Sequence, residues 1–175
     1  MSSDVTYLGS RDLLAHRRAP SGGALRDVLR SNSSGTISLM TLTERPQQLT
    51  LVFDGTCGFC MRSVRLLKAL DRNRRVTAVP FQTSGVPASV GLTLEECEAA
   101  AWAIAPDGCR YRGAEAVNAV VAAALGTTVP LLLYSLPGMR QVQDFIYYLV
   151  ASNRSRLPGD RPYCAQRPAE CGQHF

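Results

Sequence analysis

Two cysteines separated by two residues, Cys57 and Cys60, stand where an apolar run ends and a helical pattern begins. The run Leu49–Phe53 has the length of a buried strand, and the apolar spacing of residues 57–70 predicts a helix. The first turn of a helix has unpaired backbone N–H groups and partial positive charge, which stabilise a thiolate over a thiol. Because the thiolate is the species that attacks disulfides, this placement predicts a reactive dithiol at a strand–helix junction.

Composition limits the class of protein. The 175 residues are enough for one domain with a core, and six cysteines are too few for a disulfide scaffold. The N-terminus lacks the apolar stretch of a secretory signal, so we expect a cytoplasmic protein, in which a C-x-x-C pair is typically catalytic or metal-binding. The net charge of +5 comes without a base-reading motif, so we expect no nucleic-acid partner.

Three parts of the chain differ in composition. Residues 1–47 contain polar stretches rich in serine and glycine, which predict a disordered N-terminal extension. Residues 48–160 carry the strand and helix patterns of one α/β domain. Residues 161–175 are expected to form an irregular tail that contains two cysteines.

The predicted elements follow the order β-α-β-α-β-β-α, with an additional amphipathic helix after them. The strands are predicted at Leu49–Phe53, 75–81, 101–105 and 109–112, and the helices at 57–70, from Thr93 onward, at Ala114–Leu125 and at 139–151. Thr93 and Glu96 have the spacing of a capping box, and residues 82–91 are expected to be a loop. This order, with the dithiol after the first strand, predicts a thioredoxin-like α/β fold.

Residues 116–139 contain no charged side chain and are long enough to span a bilayer. Polar residues and Pro130 interrupt them, and Val117, Val120, Val121, Ala124 and Leu125 recur at the spacing of one buried helix face. We therefore favour an amphipathic helix followed by a turn at 126–130, with a membrane span as the less favoured alternative. The helix at 139–151 also has one apolar face, which we expect to pack on the domain or to form an oligomer contact.

Several segments resemble the DCC family of thiol-disulfide oxidoreductases. They are residues 53–60 with Asp54, Cys57 and Cys60, residues 79–82, residues 107–108 with 111–116, and residues 153–159 followed by Cys164. The resemblance covers about residues 49–164 and implies a thioredoxin-like fold and disulfide exchange. One departure concerns the third strand, because no proline immediately precedes it, whereas oxidoreductases of this fold usually place a cis-proline there.

Three residues are candidates for the catalytic site. Cys57 is predicted to be the attacking thiol because it lies nearest the helix start, and Cys60 the resolving thiol. Asp54 is predicted to accept a proton from Cys60, with a simple turn at Asp54 and Gly55 as the alternative. The expected partners are a protein or small-molecule thiol or disulfide and an external reductant. No organic cofactor is implied, since the chain has no glycine-rich nucleotide loop.

Two other functions remain open. The dithiol is also suited to a zinc module, although the spacing between Cys164 and Cys171 is longer than zinc sites usually have. The chain is also compatible with an interaction scaffold that docks a partner through the helix at 139–151. Cys97 and Cys109 have no partner spacing and are expected in the core. Cys164 is a candidate third thiol, or a second redox pair with Cys171, which otherwise belongs to the tail; His174 is assigned no role.

Overall fold

The computed structural model describes residues 48–172, which form a mixed α/β domain around a four-stranded sheet. The strands are β1 (Leu49–Phe53), β2 (Val76–Pro80), β3 (Trp102–Ile104) and β4 (Arg110–Arg112). Their order in the sheet is β2-β1-β3-β4, with β2 parallel to β1 and β3 antiparallel to both β1 and β4. The apolar run Leu49–Phe53 is thus a central strand, as its composition predicts.

The helices connect and follow these strands. They are α1 (Gly58–Leu70), α2 (Val86–Ser89), α3 (Leu94–Ala99), α4 (Ala114–Leu125), α5 (Val129–Ser135), α6 (Met139–Asn153) and α7 (Tyr163–Gln166), and a 3₁₀ turn covers Pro168–Glu170. Helix α1 buries Met61, Val64 and Leu67 on one side, and Asp71 caps its C-terminal end. The Asp71 carboxylate accepts hydrogen bonds from the backbone N–H groups of Arg75 and Val76, where β2 begins. Helix α3 has the predicted capping box of Thr93 and Glu96.

Hydrophobic clusters cover both faces of the sheet. Leu51 and Phe53 of β1 point to one face, where they pack with residues of α1 and α4. Val52 points to the opposite face and packs with the residues that surround α2 and α3. Because successive strand residues point to opposite faces, the single strand β1 supports both clusters. The dithiol at the start of α1 therefore follows a strand that is packed on both faces.

Several local predictions differ from the structure. The expected loop at 82–91 contains α2, and the expected irregular tail contains α7. The predicted turn at 126–130 is wrong at its end, because α5 already begins at Val129. The predicted buried face of α4 is confirmed at Val120 and Ala124, whereas Val117 and Leu125 are exposed and most of the buried residues are alanines. Helix α6 packs on the domain through partly buried residues such as Tyr147 and Val150, while the apolar side chains on its outer side, such as Phe145, are exposed.

The predictions for residues 1–47 and for His174 lie outside the described residues. Within the described part, no helix is both long enough and apolar enough to cross a bilayer. That finding includes α4 and α5, which Gly126 separates in a left-handed conformation at φ +71°. The same part has no cis peptide bond, in line with the lack of a proline immediately before β3.

Candidate functional site

Cys57 forms the N-cap of α1. Its backbone is extended at φ −90° and ψ 115°, and its Sγ accepts a hydrogen bond from the backbone N–H of Cys60 at 3.2 Å. The cap is thus a sulfur atom in the place where a serine or threonine oxygen is usual. An N–H group aimed at this sulfur, together with the helix dipole, stabilises negative charge on it. Both cysteines of the pair are free thiols and partly buried.

Cys60 lies one turn into α1 and packs against the core cluster that contains Val64 and Leu67. Burial raises the pKa of the Cys60 thiol, and the hydrogen bond and negative charge of Cys57 raise it further. The charge of Arg154 lowers this pKa and the charge of Asp54 raises it, both by smaller amounts. Cys60 is therefore held as a protonated thiol, which must lose its proton before it can attack.

Asp54 is held by contacts from three parts of the chain. Its Oδ1 accepts hydrogen bonds from the Thr56 backbone N–H at 2.9 Å, from Thr56 Oγ1 at 2.7 Å and from Gln82 Nε2 at 2.7 Å. Its Oδ2 forms an ion pair with Arg154 at 3.2 Å. Asp54 thus fixes the turn before Cys57, and the same carboxylate lines a cavity that Cys60 also lines.

Gln82 and Arg154 are site residues that the sequence reasoning did not single out. Gln82 is buried and also accepts the Gly55 backbone N–H through Oε1 at 2.8 Å, so it ties the turn to the end of β2. Arg154 follows α6 directly and brings the end of that helix to the turn. Their only sequence signal is that both lie in segments that carry the family resemblance, at 79–82 and 153–159.

A cavity of about 310 Å³ lies between α1, α4 and α6. Its walls are mostly apolar side chains, and Asp54, Cys60 and Arg154 line it near the start of α1. Cavities of this size, with few polar groups, are typical of sites that take small ligands or single side chains. The cavity places Cys60 in apolar surroundings, which is the physical cause of its raised pKa.

The four remaining cysteines have different environments. Cys97 is buried, as predicted, but the prediction for Cys109 was wrong because it is exposed in the short connection between β3 and β4. Cys164 and Cys171 form a disulfide, so Cys171 is not an isolated residue of the tail. Across residues 48–172, no group of three or more histidine, cysteine, aspartate or glutamate side chains is placed to hold a metal ion.

Comparisons with known proteins gave a match to the model of one protein family. A search of curated proteins and a search of solved structures each found no significant match. The model of one family, described as DCC1-like thiol-disulfide oxidoreductase, matches residues 51–160 and so covers most of β1, the dithiol, the other three strands and α6. Because this match extends over more than half of the chain, the chain belongs to the DCC1-like thiol-disulfide oxidoreductase family.

Proposed function

We propose that this protein is a thiol-disulfide oxidoreductase that exchanges disulfides through Cys57 and Cys60 on a thioredoxin-like core. The observation that carries the proposal is the unequal placement of the two sulfurs. Cys57 Sγ caps α1 and accepts an N–H, whereas Cys60 is held protonated by burial. The family match supports the same reaction class. An attacking thiolate backed by a shielded second thiol is the arrangement that such exchange requires.

The reaction proceeds in two steps. The Cys57 thiolate attacks one sulfur of the substrate disulfide, forms a mixed disulfide and releases the first substrate thiol. Cys60 then loses its proton and attacks Cys57 Sγ, which releases the second substrate thiol and leaves a Cys57–Cys60 disulfide. Two electrons pass from the dithiol to the substrate, and an external reductant restores the dithiol.

Asp54 is the proposed acceptor of the Cys60 proton. Both side chains line the cavity, and the negative charge of Asp54 acts on the pKa of Cys60. Oδ1 already accepts hydrogen bonds from Thr56 and Gln82, so Oδ2 is the oxygen proposed to take the proton. The neighbouring Arg154 keeps that carboxylate in place.

The proposed partners are the same as those expected from the sequence. The substrate is a protein or small-molecule disulfide or thiol, and the proposed compartment is the cytoplasm, where dithiols of this kind act as catalysts. Neither a nucleic acid nor a membrane takes part in the proposed reaction.

The test is a trapping experiment with hydroxyethyl disulfide as substrate. Cys60→Ser should accumulate a stable mixed disulfide on Cys57, which mass spectrometry detects as one added mercaptoethanol group. The wild-type protein should turn the substrate over, and Cys57→Ser should form no mixed disulfide at position 57. Cys109→Ser is the matched control, because Cys109 is an exposed thiol outside the dithiol, and it should behave as wild type. A Cys60→Ser protein in which Cys57 remains a free thiol would exclude the exchange mechanism.

A further inference from the structure

The segment after α6 crosses directly over the dithiol. We call residues 159–172 the C-terminal strap. The Asp160 N–H donates to the Gly58 carbonyl oxygen at 2.9 Å, between the two cysteines, and the Cys164 N–H donates to the Gly55 carbonyl oxygen at 3.1 Å, before them. Gly58 permits this crossing, since a Cβ there would lie 2.6 Å from the Asp160 carbonyl oxygen. The strap is therefore bonded to the chain on both sides of Cys57.

The strap carries the disulfide Cys164–Cys171, and it holds Cys164 against the turn that leads into α1. A Cβ on Gly55 would lie 3.2 Å from Cys164 Sγ, and Gly55 is two residues before Cys57. Cys60, Cys164 and Cys171 are all partly buried against the main hydrophobic core. Cys164 is therefore held beside the turn that leads directly into Cys57.

The strap does not depend on its disulfide to stay in place. The Gly172 N–H donates to the Gln82 carbonyl oxygen at 3.0 Å, and Cys171 pairs with Thr83 in an isolated β-bridge. Tyr163 is buried in the core cluster beside the first cysteine of the strap. Opening the disulfide would therefore leave Cys164 next to the turn, while residues 165–170 between the two cysteines are exposed to solvent.

We propose that Cys164–Cys171 is a second redox pair, which exchanges disulfides with Cys57–Cys60 inside one chain and passes electrons between the dithiol and the surface. The proposal rests on the exchange function proposed above and names the first electron partner of that site. A disulfide in a reducing compartment is more often transient and catalytic than structural, which agrees with such a role.

The transfer balances within the chain. The Cys57 thiolate attacks Cys164 Sγ, so the Cys57–Cys164 bond forms, the Cys164–Cys171 bond breaks and Cys171 leaves as a thiolate that takes up a proton. Cys60 gives up its proton and attacks Cys57 Sγ, which releases Cys164 as the second thiol. The Cys57–Cys60 pair has lost two electrons and two protons, and the Cys164–Cys171 pair has gained them. An external disulfide then reoxidises the Cys164–Cys171 pair, which is partly buried but connected by the exposed residues 165–170.

The experiment looks for the intermediate in Cys60→Ser, which lacks the resolving thiol. The protein is isolated with Cys164–Cys171 oxidised, incubated at pH 7.5, alkylated and digested. Trypsin leaves both strap cysteines on one peptide because Arg161 and Arg167 each precede a proline, so a second protease that cleaves after Glu170 is needed to separate them. We expect a peptide that joins Cys57 to Cys164, at least tenfold more abundant than any peptide that joins Cys57 to the exposed thiol Cys109.

A second measurement uses the wild-type chain. The fully reduced protein receives one equivalent of oxidised glutathione, and the disulfide in each pair is followed with time. We expect a disulfide first on Cys57–Cys60 that then distributes between the two pairs by the reverse of the steps above, at a rate unchanged by tenfold dilution, as an intramolecular step requires.

The outcomes separate this inference from the function on which it rests. If no Cys57–Cys164 peptide forms and no disulfide moves between the pairs, while Cys57 still reacts with oxidised glutathione, the proposed exchange between the two pairs is wrong. The disulfide exchange function of Cys57 and Cys60 then still stands. If Cys57 reacts with neither disulfide, both proposals fail.

Discussion

Replacing Asp54 by asparagine separates the two roles that this residue has been given. The amide keeps the shape of the side chain, and its oxygen can still accept hydrogen bonds from Thr56 and Gln82. The amide nitrogen takes the place of Oδ2 and cannot accept from Arg154, so the ion pair is lost. The substitution therefore removes a charge beside Cys60 and leaves most of the turn intact.

The expected loss in the free energy of unfolding at pH 7 is about 2.5 kcal/mol or more. A hydrogen bond to a charged group contributes about 1.5–3 kcal/mol and a neutral one about 1, so the three bonds to Oδ1 together lose at least about 1.5 kcal/mol. Exposed ion pairs contribute less than about 1 kcal/mol, and breaking a buried pair costs about 3–5. The side chains of Asp54 and Arg154 are 11% and 32% exposed, so partial screening by water places this pair between those limits.

The substitution Asp54→Asn changes the rate of the resolving step in two opposite ways. The charge of Asp54 raises the pKa of Cys60, so its removal alone would make the thiolate easier to form and the step faster. A general base contributes about 10²–10⁴-fold to a proton transfer. If Asp54 accepts the Cys60 proton, the loss of the base outweighs the gain in acidity, and we expect the resolving step to slow by about 10²-fold or more.

The assay measures release of the second thiol by stopped flow, after Cys57 has been loaded with a chromogenic disulfide, and urea unfolding gives the stability. Asp160→Asn is the matched control, because Asp160 is a nearby acid whose ion pair with Arg65 is more exposed, and its resolving rate should equal that of the wild type. A resolving rate in Asp54→Asn that equals or exceeds the wild-type rate would show that Asp54 only holds the turn.

Three further predictions follow from the same geometry. Gly58→Ala should push the strap away and speed hydrogen exchange at the Asp160 amide at least tenfold. Gly108→Ala strains a turn elsewhere in the fold at φ +88° but meets no atom within 4 Å, so it should leave that amide unchanged, and equal exchange in both variants would contradict the close crossing. Because burial raises the pKa of Cys60 and raises the pKa of Cys97 to about 11, the folded state of the reduced protein keeps protons that the unfolded state releases. Stability should therefore be full below about pH 8 and fall above about pH 9, more steeply in the reduced than in the Cys57–Cys60 oxidised protein, and urea unfolding from pH 7 to 10 checks this. Incubation with a zinc chelator should leave the melting temperature unchanged, and stoichiometric zinc in the purified protein would favour the metal-binding module instead.

Local signals predicted much of the fold. The strand Leu49–Phe53, helix α1 and the capping box of Thr93 and Glu96 each follow from residues close together in sequence. Helix α5 was missed because Pro130 suggested a turn, although proline is well tolerated in the first turn of a helix, where its missing N–H has no partner to lose. The predicted buried face of α4 was right at Val120 and Ala124, but the pattern did not indicate that most of the close packing uses alanines.

The site was predicted only in part, because some of its contacts join residues that are far apart in sequence. Cys57 and Asp54 lie near each other in sequence, so the motif and the predicted helix start were enough to bring them together. The contacts to Gln82 and Arg154 join residues far apart in the chain, and the path of the strap depends on how α6 ends, so periodicity gave no signal for either. Cys109 was placed in the core because it has no partner spacing and a free cysteine behaves as a small hydrophobe, but a hairpin this short leaves its connection in solvent.

The central claim, that Cys57 and Cys60 form a reversible redox pair, is tested most directly by equilibrium with glutathione. The protein is held at a series of ratios of reduced to oxidised glutathione, quenched with acid, alkylated and analysed for a Cys57–Cys60 disulfide by mass spectrometry. We expect one reversible transition with a midpoint between about −270 and −120 mV, the range of catalytic dithiols. A pair that stays reduced at every ratio, or a disulfide that glutathione cannot reduce once it has formed, would contradict it.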